Sequence, residues 1–153
     1  MGEFFGSIYA FLFEDLIGED LSNYLWGQAS SNQETNMYTA IGLAMIGISL
    51  FVAVLFYYIV NHPRLCNFWG WLIFLIINFI INFVVGWQWV LKDLYAGLMT
   101  TVAPDTGQTI QLNIDEYNCL MFGLSNALLS IFVFFIISMI IKWWSKDVPA
   151  APF

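Results

Sequence analysis

Residues 69–91 read WGWLIFLIINFIINFVVGWQWVL and contain no Asp, Glu, Lys or Arg. A helix needs about 20 mostly apolar residues to cross the hydrocarbon core of a bilayer, which is about 30 Å thick. With a rise of about 1.5 Å per residue, this segment is long enough to cross that core at a modest tilt. We therefore predict that it is a membrane-spanning helix.

Two other segments, residues 37–60 and 117–141, are similarly long and equally free of charge. Helices of soluble proteins average about 10–14 residues and carry charges on their exposed side, so this pattern favours three membrane spans. The predicted fold class is an all-α integral membrane protein with a small β-hairpin outside the membrane. Its segments are an N-terminal amphipathic helix with a polar linker (1–36), the first span (37–60), a short inner turn (61–68), the second span (69–91), an outer loop with the hairpin (92–116), the third span (117–141) and an inner tail (142–153).

The composition excludes other classes of protein. Of the 153 residues, 60% are hydrophobic and 10% are charged, whereas a soluble domain is about 25% charged. Acidic residues number 11 and basic residues 4, which gives a net charge of −7. Nucleic-acid binding requires clustered Lys and Arg to neutralise phosphates, so we exclude it. The lipid bilayer is the first partner that the composition predicts.

The basic residues indicate how the chain is threaded. Arg64, Lys142 and Lys146 fall on the side of the short turn and the tail, and Lys92 falls on the other side. The positive-inside rule therefore predicts that the N-terminus is outside and the C-terminus inside. We expect this orientation in a bacterial inner membrane, with an organelle inner membrane as the alternative.

The tryptophans agree with these boundaries, because Trp prefers the interface between membrane and water. The predicted interface anchors are Trp69, Trp71, Trp143 and Trp144 on the inner side and Trp87 and Trp89 on the outer side.

The N-terminal segment predicts an amphipathic helix that ends near Gly18, followed by a short helical turn over residues 21–26. Two environments suit such a helix: the outer membrane surface, and a protein partner or sister subunit. The helix carries no Lys or Arg to attract anionic lipid, so we favour the protein partner. On a helical wheel its apolar face consists of Phe5, Ile8, Tyr9, Leu12 and Leu16.

The outer loop predicts a β-hairpin. Residues 98–103 and 108–114 flank the sequence PDTG at 104–107, in which an early proline and a late glycine suit a tight turn. The second flank alternates apolar and polar residues, as a strand does. A lone hairpin is marginally stable in water, so we expect the N-terminal helix or a neighbouring subunit's hairpin to cover its apolar face.

Residue patterns for catalysis or metal binding are missing from the sequence. His62 precedes Pro63 in the inner turn, and no second His, Asp or Glu cluster stands beside it at a metal-binding spacing. The serines of the third span have no base at their depth, which argues against serine catalysis. Cys66 and Cys119 fall on opposite sides of the predicted membrane, too far apart for a disulfide. We expect no enzymatic activity, no metal and no cofactor.

Polar residues within the second and third spans are the most informative ones. Asn78 and Asn82 share a helix face in the second span, and Asn126 and Ser130 do so in the third. Since the two spans run in opposite directions, Asn82 matches Asn126 in depth, and Asn78 matches Ser130, to within about 2 Å. Amides are costly in lipid without partners, so these faces should turn toward protein or water.

Two interpretations of these four residues compete. In the first, which we favour, they hold the helices together by hydrogen bonds. In the second, they line a pore formed by several copies. A bound lipid or cofactor is a third interpretation. The first span offers a different surface, because Ala40, Ala44 and Gly47 form a row of small residues that suits the docking of another helix.

Together these patterns predict a non-enzymatic polytopic membrane subunit that assembles with itself or with other membrane proteins through its helices. The alternative is a homo-oligomeric pore or membrane-permeabilising effector, of the kind that a holin or a small bacterial defence protein represents. A lipid-handling or transport enzyme would need catalytic residues that the sequence does not offer.

Overall fold

The computed structural model describes residues 2–27, 36–59, 67–102 and 108–143, and it is mostly helical. Its elements are α1 (Gly2–Ile17), α2 (Glu19–Leu25), α3 (Met37–Val54) with a π-helical continuation (Leu55–Ile59), α4 (Phe68–Tyr95), β1 (Thr100–Val102), β2 (Thr109–Gln111) and α5 (Glu116–Lys142). Three of these helices, α3 with its continuation, α4 and α5, are long and apolar enough to cross a membrane. The three predicted spans are confirmed as helices of spanning length.

Both ends of α4 are set by local backbone chemistry. At its start, the side-chain Oδ1 of Asn67 accepts a hydrogen bond from the backbone N–H of Gly70 at 3.0 Å, which caps the first turn. At its end, Gly97 adopts a positive φ of 68°, and the N–H of Leu98 donates to the carbonyl of Asp93 at 3.1 Å. This is a glycine-terminated helix end of the Schellman type. It lies beyond residue 91, so α4 is longer than predicted.

The predicted hairpin is present and shorter than expected. β1 and β2 pair in antiparallel fashion with Thr101 opposite Ile110. Ile110 is exposed, whereas Ile114, which follows β2, is buried. The apolar side of this segment is thus only partly covered within the chain.

The chain divides into two compact units. The first consists of Met1–Leu43 and Val84–Ser125. Aromatic side chains form much of its interior: the rings of Tyr9 and Tyr38 stack with centroids 5.2 Å apart, and Phe122 lies 5.5 Å from Tyr9. These contacts join α1 to α3 and α5 inside this unit.

The second unit consists of Ala44–Phe83 and Asn126–Phe153. It has its own apolar core, in which Phe56 packs on Phe74 at a centroid distance of 5.2 Å. The buried members of this core are Val52, Ala53, Phe56, Tyr57, Trp71, Phe134 and Ile141.

The predicted N-terminal helix is confirmed, with its end at Ile17, but only part of its predicted apolar face is buried. Phe5 and Tyr9 are buried, whereas Leu12 and Leu16 are half exposed, and Ile17 is buried instead. The buried residues follow a spacing of four along one row of α1, because that row packs against the rest of the first unit.

Several predicted features lie outside the described residues. They are the linker 28–35, most of the inner turn, the hairpin turn and the end of the tail, and with them His62, Arg64, Cys66, Trp144 and Lys146.

Candidate functional site

The four polar residues singled out within the spans all lie in the second unit. Asn78, Asn82, Asn126 and Ser130 are each 0% exposed to solvent. Side chains of this polarity are costly to bury without hydrogen bonds. Their hydrogen bonds therefore indicate what the cluster does, and we refer to these four residues as the amide cluster.

Two hydrogen bonds of the amide cluster join α4 to α5. The Nδ2 of Asn126 donates to the backbone carbonyl of Asn82 at 2.8 Å, and the Nδ2 of Asn78 donates to the carbonyl of Ser130 at 3.2 Å. The pairs matched by depth in the sequence are confirmed. Each amide donates to a backbone carbonyl oxygen of the residue matched with it, rather than to that residue's side chain. This is possible because a carbonyl oxygen has two lone pairs and can accept a second hydrogen bond besides the one within its helix.

Two further hydrogen bonds run within α4. The Nδ2 of Asn82 donates to both the backbone carbonyl and the Oδ1 of Asn78, at 3.0 and 3.1 Å. Within the described residues no donor reaches the buried Oδ1 of Asn82. The amide nitrogens of Asn78 and Asn82 thus both donate inside the chain, and the Oδ1 of Asn82 is left without a donor among the described residues.

A second polar contact in the same unit was missed in the sequence. The indole Nε1 of Trp71 donates to the Oγ of Ser138 at 3.2 Å. Trp71, which the sequence predicts as an interface anchor, is 5% exposed, and its ring is part of the core of this unit. Trp71 lies three residues after the start of α4, and Ser138 four residues before the end of α5. The depth matching applied to the asparagines would have found this pair.

The other described tryptophans remain candidates for interface anchors. Trp69 and Trp143 are strongly exposed, Trp89 is exposed to a lesser degree, and Trp87 is half-buried. Their exposure leaves apolar rings available to the membrane–water interface.

The predicted docking row of α3 is open. Ala40 and Gly47 are exposed and Ala44 is half-buried. Among the described residues, no atom lies within 4 Å of the position that a Cβ at Gly47 would take. Close approach occurs instead at Gly42, where a Cβ would lie 2.4 Å from the ring of Phe5.

Gly47 lies beside an apolar groove of about 380 Å³ in the second unit. The groove runs between α3 with its π-helical continuation and α4. Its lining residues are Gly47, Ile48, Phe51, Val52, Leu55, Phe74, Ile77 and Ile81.

In the first unit, hydrogen bonds attach the N-terminal helices to the spanning helices. The Nδ2 of Asn118 donates to the carbonyl of Ile17 at 2.9 Å. The hydroxyl of Tyr38 donates to the Oγ of Ser22 at 3.2 Å. Burial, and to a lesser extent the nearby Tyr38, raises the pKa of the Tyr9 hydroxyl, so this group stays neutral at physiological pH.

Carboxylates in the first unit also have specific partners. The hydroxyl of Tyr24 donates to the Oδ2 of Asp93 at 3.4 Å, and the hydroxyl of Tyr95 donates to Glu116. Asp93 and Glu116 thus link α4 to α2 and α5, which the sequence did not indicate. Over the described ranges, no group of three His, Cys, Asp or Glu side chains lies close enough to hold a metal ion.

Comparison of the chain with protein-family models, curated proteins and solved structures gives no match.

Proposed function

We propose that the chain is a non-enzymatic integral membrane protein that serves as a structural subunit and assembles through its spanning helices. The observation that carries the structural role is the complete burial of the amide cluster inside a single chain. Its amides bond one helix to another, as expected of residues that hold a membrane bundle together. Their role is to fix the packing of α4 on α5 within the second unit.

The same burial weighs against the pore interpretation. A pore formed by several copies needs polar side chains on the surface of each copy, where association can bring them together around water. The residues proposed for that role have no exposed surface, and their amide donors are already engaged. If they lined a pore, Asn78→Leu would abolish ion flux through liposomes that contain the protein. We expect the wild-type and variant liposomes to show the same flux as protein-free liposomes.

The surface that we propose for assembly is the groove beside Gly47, and the occupant is a second copy of the chain. Gly47 leaves open space, and Phe51, one turn further along the same face, projects an exposed ring. The open space at Gly47 beside the projecting ring of Phe51 suits a two-fold interface, in which the Phe51 ring of each copy fills the space at Gly47 of the other. Small residues also allow the close approach of helix backbones in lipid.

The orientation that we propose is N-out and C-in in a bacterial inner membrane. It rests on the division of the basic residues predicted from the sequence, among which Lys92 lies in the last turn of α4 and Lys142 in the last turn of α5.

The mass of the particle in mild detergent tests the assembly proposal. We expect the wild-type protein to elute as a complex of two or more chains. Gly47→Leu adds bulk to the groove at a position where a Cβ would meet no described atom, and it should yield the single chain. Ile136→Phe adds bulk at an exposed position of α5 and serves as the matched control, with no expected change. A wild-type protein of single-chain mass in both detergent and lipid nanodiscs would contradict the proposal, and other chains that co-purify would replace the second copy as the occupant.

A further inference from the structure

In the first unit, α1 packs against the spanning helices at positions inside their ends. Phe5 packs against Gly42, which lies five residues after the start of α3. Tyr9 packs on Phe122, six residues after the start of α5. At about 1.5 Å per residue, these two contacts lie roughly 7–9 Å inside the starts of α3 and α5. Tyr9 also stacks on Tyr38, one residue after the start of α3, so along α3 the contact of Phe5 is the deeper one.

The other end of α1 lies much closer to the boundary. The carbonyl of Ile17 accepts its hydrogen bond from Asn118, two residues after the start of α5. Along α5, the contacts of α1 therefore move inward by four residues, about 6 Å, between Ile17 and Tyr9. The helix is oblique, with its N-terminal half the deeper one.

The charge pattern of α1 follows the same gradient. Residues 4–13 contain no charged side chain, whereas Glu14 and Asp15 are exposed at the shallow end, and Glu19 and Asp20 follow on α2. A helix in uniform contact with water would have no reason to separate its charges in this way.

The side of α1 that faces away from the protein is apolar in the deep half. Phe11 is 88% exposed and Phe4 is 64% exposed, although Phe5 and Tyr9 between them are buried. Leu43, which follows Gly42 on α3, is also exposed, so at this depth α1 and α3 both present hydrocarbon outward. The exposed face of α1 thus continues the lipid-facing surface of the spanning helices.

We infer that α1 is inserted obliquely into one leaflet, the one at the N-terminal end of α3, with Phe4 and Phe11 in contact with lipid acyl chains. A depth of about 5–10 Å is typical of helices that lie in the membrane interface. This differs from the protein partner that the lack of basic residues favoured. Lys and Arg assist binding from water, whereas α1 is held at its depth by contacts with α3 and α5. The inference rests on membrane residence and does not require assembly.

Nitroxide spin labels at single cysteines test this inference in the full chain reconstituted in phosphatidylcholine liposomes. The native Cys66 and Cys119 are replaced by alanine, and labels are placed at Phe4, Phe11, Leu43 and Asp20. Molecular oxygen concentrates in the hydrocarbon of the membrane, whereas a polar nickel chelate stays in the water. The reagent that collides more often with a label therefore shows which of the two surrounds it. We expect labels at positions 4, 11 and 43 to collide mainly with oxygen, and the label at 20 mainly with nickel.

A label at Phe11 that collides mainly with nickel while that at Leu43 collides with oxygen would overturn the insertion of α1 alone. Nickel collisions at both positions would overturn membrane residence as well. A label at Phe11 that neither reagent reaches would show that a protein covers this face, which also contradicts the inference. If the cysteine-free chain does not fold, Phe11→Trp in the wild-type chain should add fluorescence that lipids brominated on their acyl chains quench.

Discussion

The amide nitrogen of Asn126 donates a hydrogen bond to the backbone carbonyl of Asn82, 44 residues earlier in the chain, at 2.8 Å. Both residues are completely buried. Because an amide without a partner is costly in an apolar environment, this bond favours one rotation of α5 relative to α4 within the second unit. The contribution of each amide to that packing can be measured separately.

Alanine substitution at the three asparagines should give unequal losses of stability. Asn126→Ala and Asn78→Ala each remove a bond between two helices and should lower the free energy of unfolding by about 0.6–2 kcal/mol beyond the common effect of side-chain truncation. Asn82→Ala removes only bonds within α4, together with a buried oxygen that has no donor among the described residues, and should cost less. Unfolding in mixed detergent micelles measures all three.

The exposed Asn113 provides the control, since Asn113→Ala should leave stability unchanged. Equal losses at all three buried positions would show that cavity formation, rather than the bonds between helices, determines their contribution.

Two glycines of α3 should respond in opposite directions to the same substitution. Gly42→Ala places a methyl group against the ring of Phe5 and should destabilise the protein by about 1–3 kcal/mol. In the dissociated single chain, Gly47→Ala meets no described atom and should stabilise the helix by up to about 1 kcal/mol, because alanine is the better helix former. Thermal unfolding of the two variants checks the signs. A loss at Gly47 equal to that at Gly42 would contradict the assigned packing.

The turn between α1 and α2 depends on Gly18, which has a φ of 89°. Gly18→Ala should cost more than Gly97→Ala, although both glycines have positive φ. The reason is that a Cβ at Gly18 would also lie 2.7 Å from the Nδ2 of Asn118, whereas at Gly97 it would meet no described atom. We expect about 1–3 kcal/mol at Gly18 and about 1 kcal/mol at Gly97, measured by thermal unfolding.

Limited proteolysis distinguishes loss of docking from general unfolding at Gly18. If the substitution releases α1, cleavage within the first 17 residues should increase while the spanning helices stay protected. Cleavage equal to that of wild type, together with unchanged stability, would contradict the role of Gly18.

Trp71→Phe should weaken the second unit, because it removes the donor to Ser138 and part of a buried ring. Ser138→Ala should cost about 0.6–2 kcal/mol, and the double variant should cost less than the sum of the two single variants. Trp69→Phe, at an exposed ring of the same helix turn, is the control and should have little effect on unfolding. Strict additivity of Trp71→Phe and Ser138→Ala would show that the two side chains are not coupled.

The features that could be predicted from the sequence depend on the length of the uncharged apolar segments and on the depth of polar residues within them. The three long helices, the end of α1 before Gly18, and the pairing of Asn126 with Asn82 follow from uninterrupted apolar runs and from residue spacing. The packing of α1 against side chains of distant segments was not predictable in this way. The face of α1 that became buried was chosen by contacts with Tyr38 and Phe122, which no local period encodes.

The most direct test of three membrane crossings is to determine on which side of the membrane each chain end lies. One epitope tag is added at Met1 and another at Phe153, and each is probed in intact bacterial spheroplasts and in permeabilised ones. We predict that antibody reaches the N-terminal tag in intact spheroplasts and the C-terminal tag only after permeabilisation. Access to both tags from the same side, or a protein that stays in the aqueous fraction without detergent, would contradict the account.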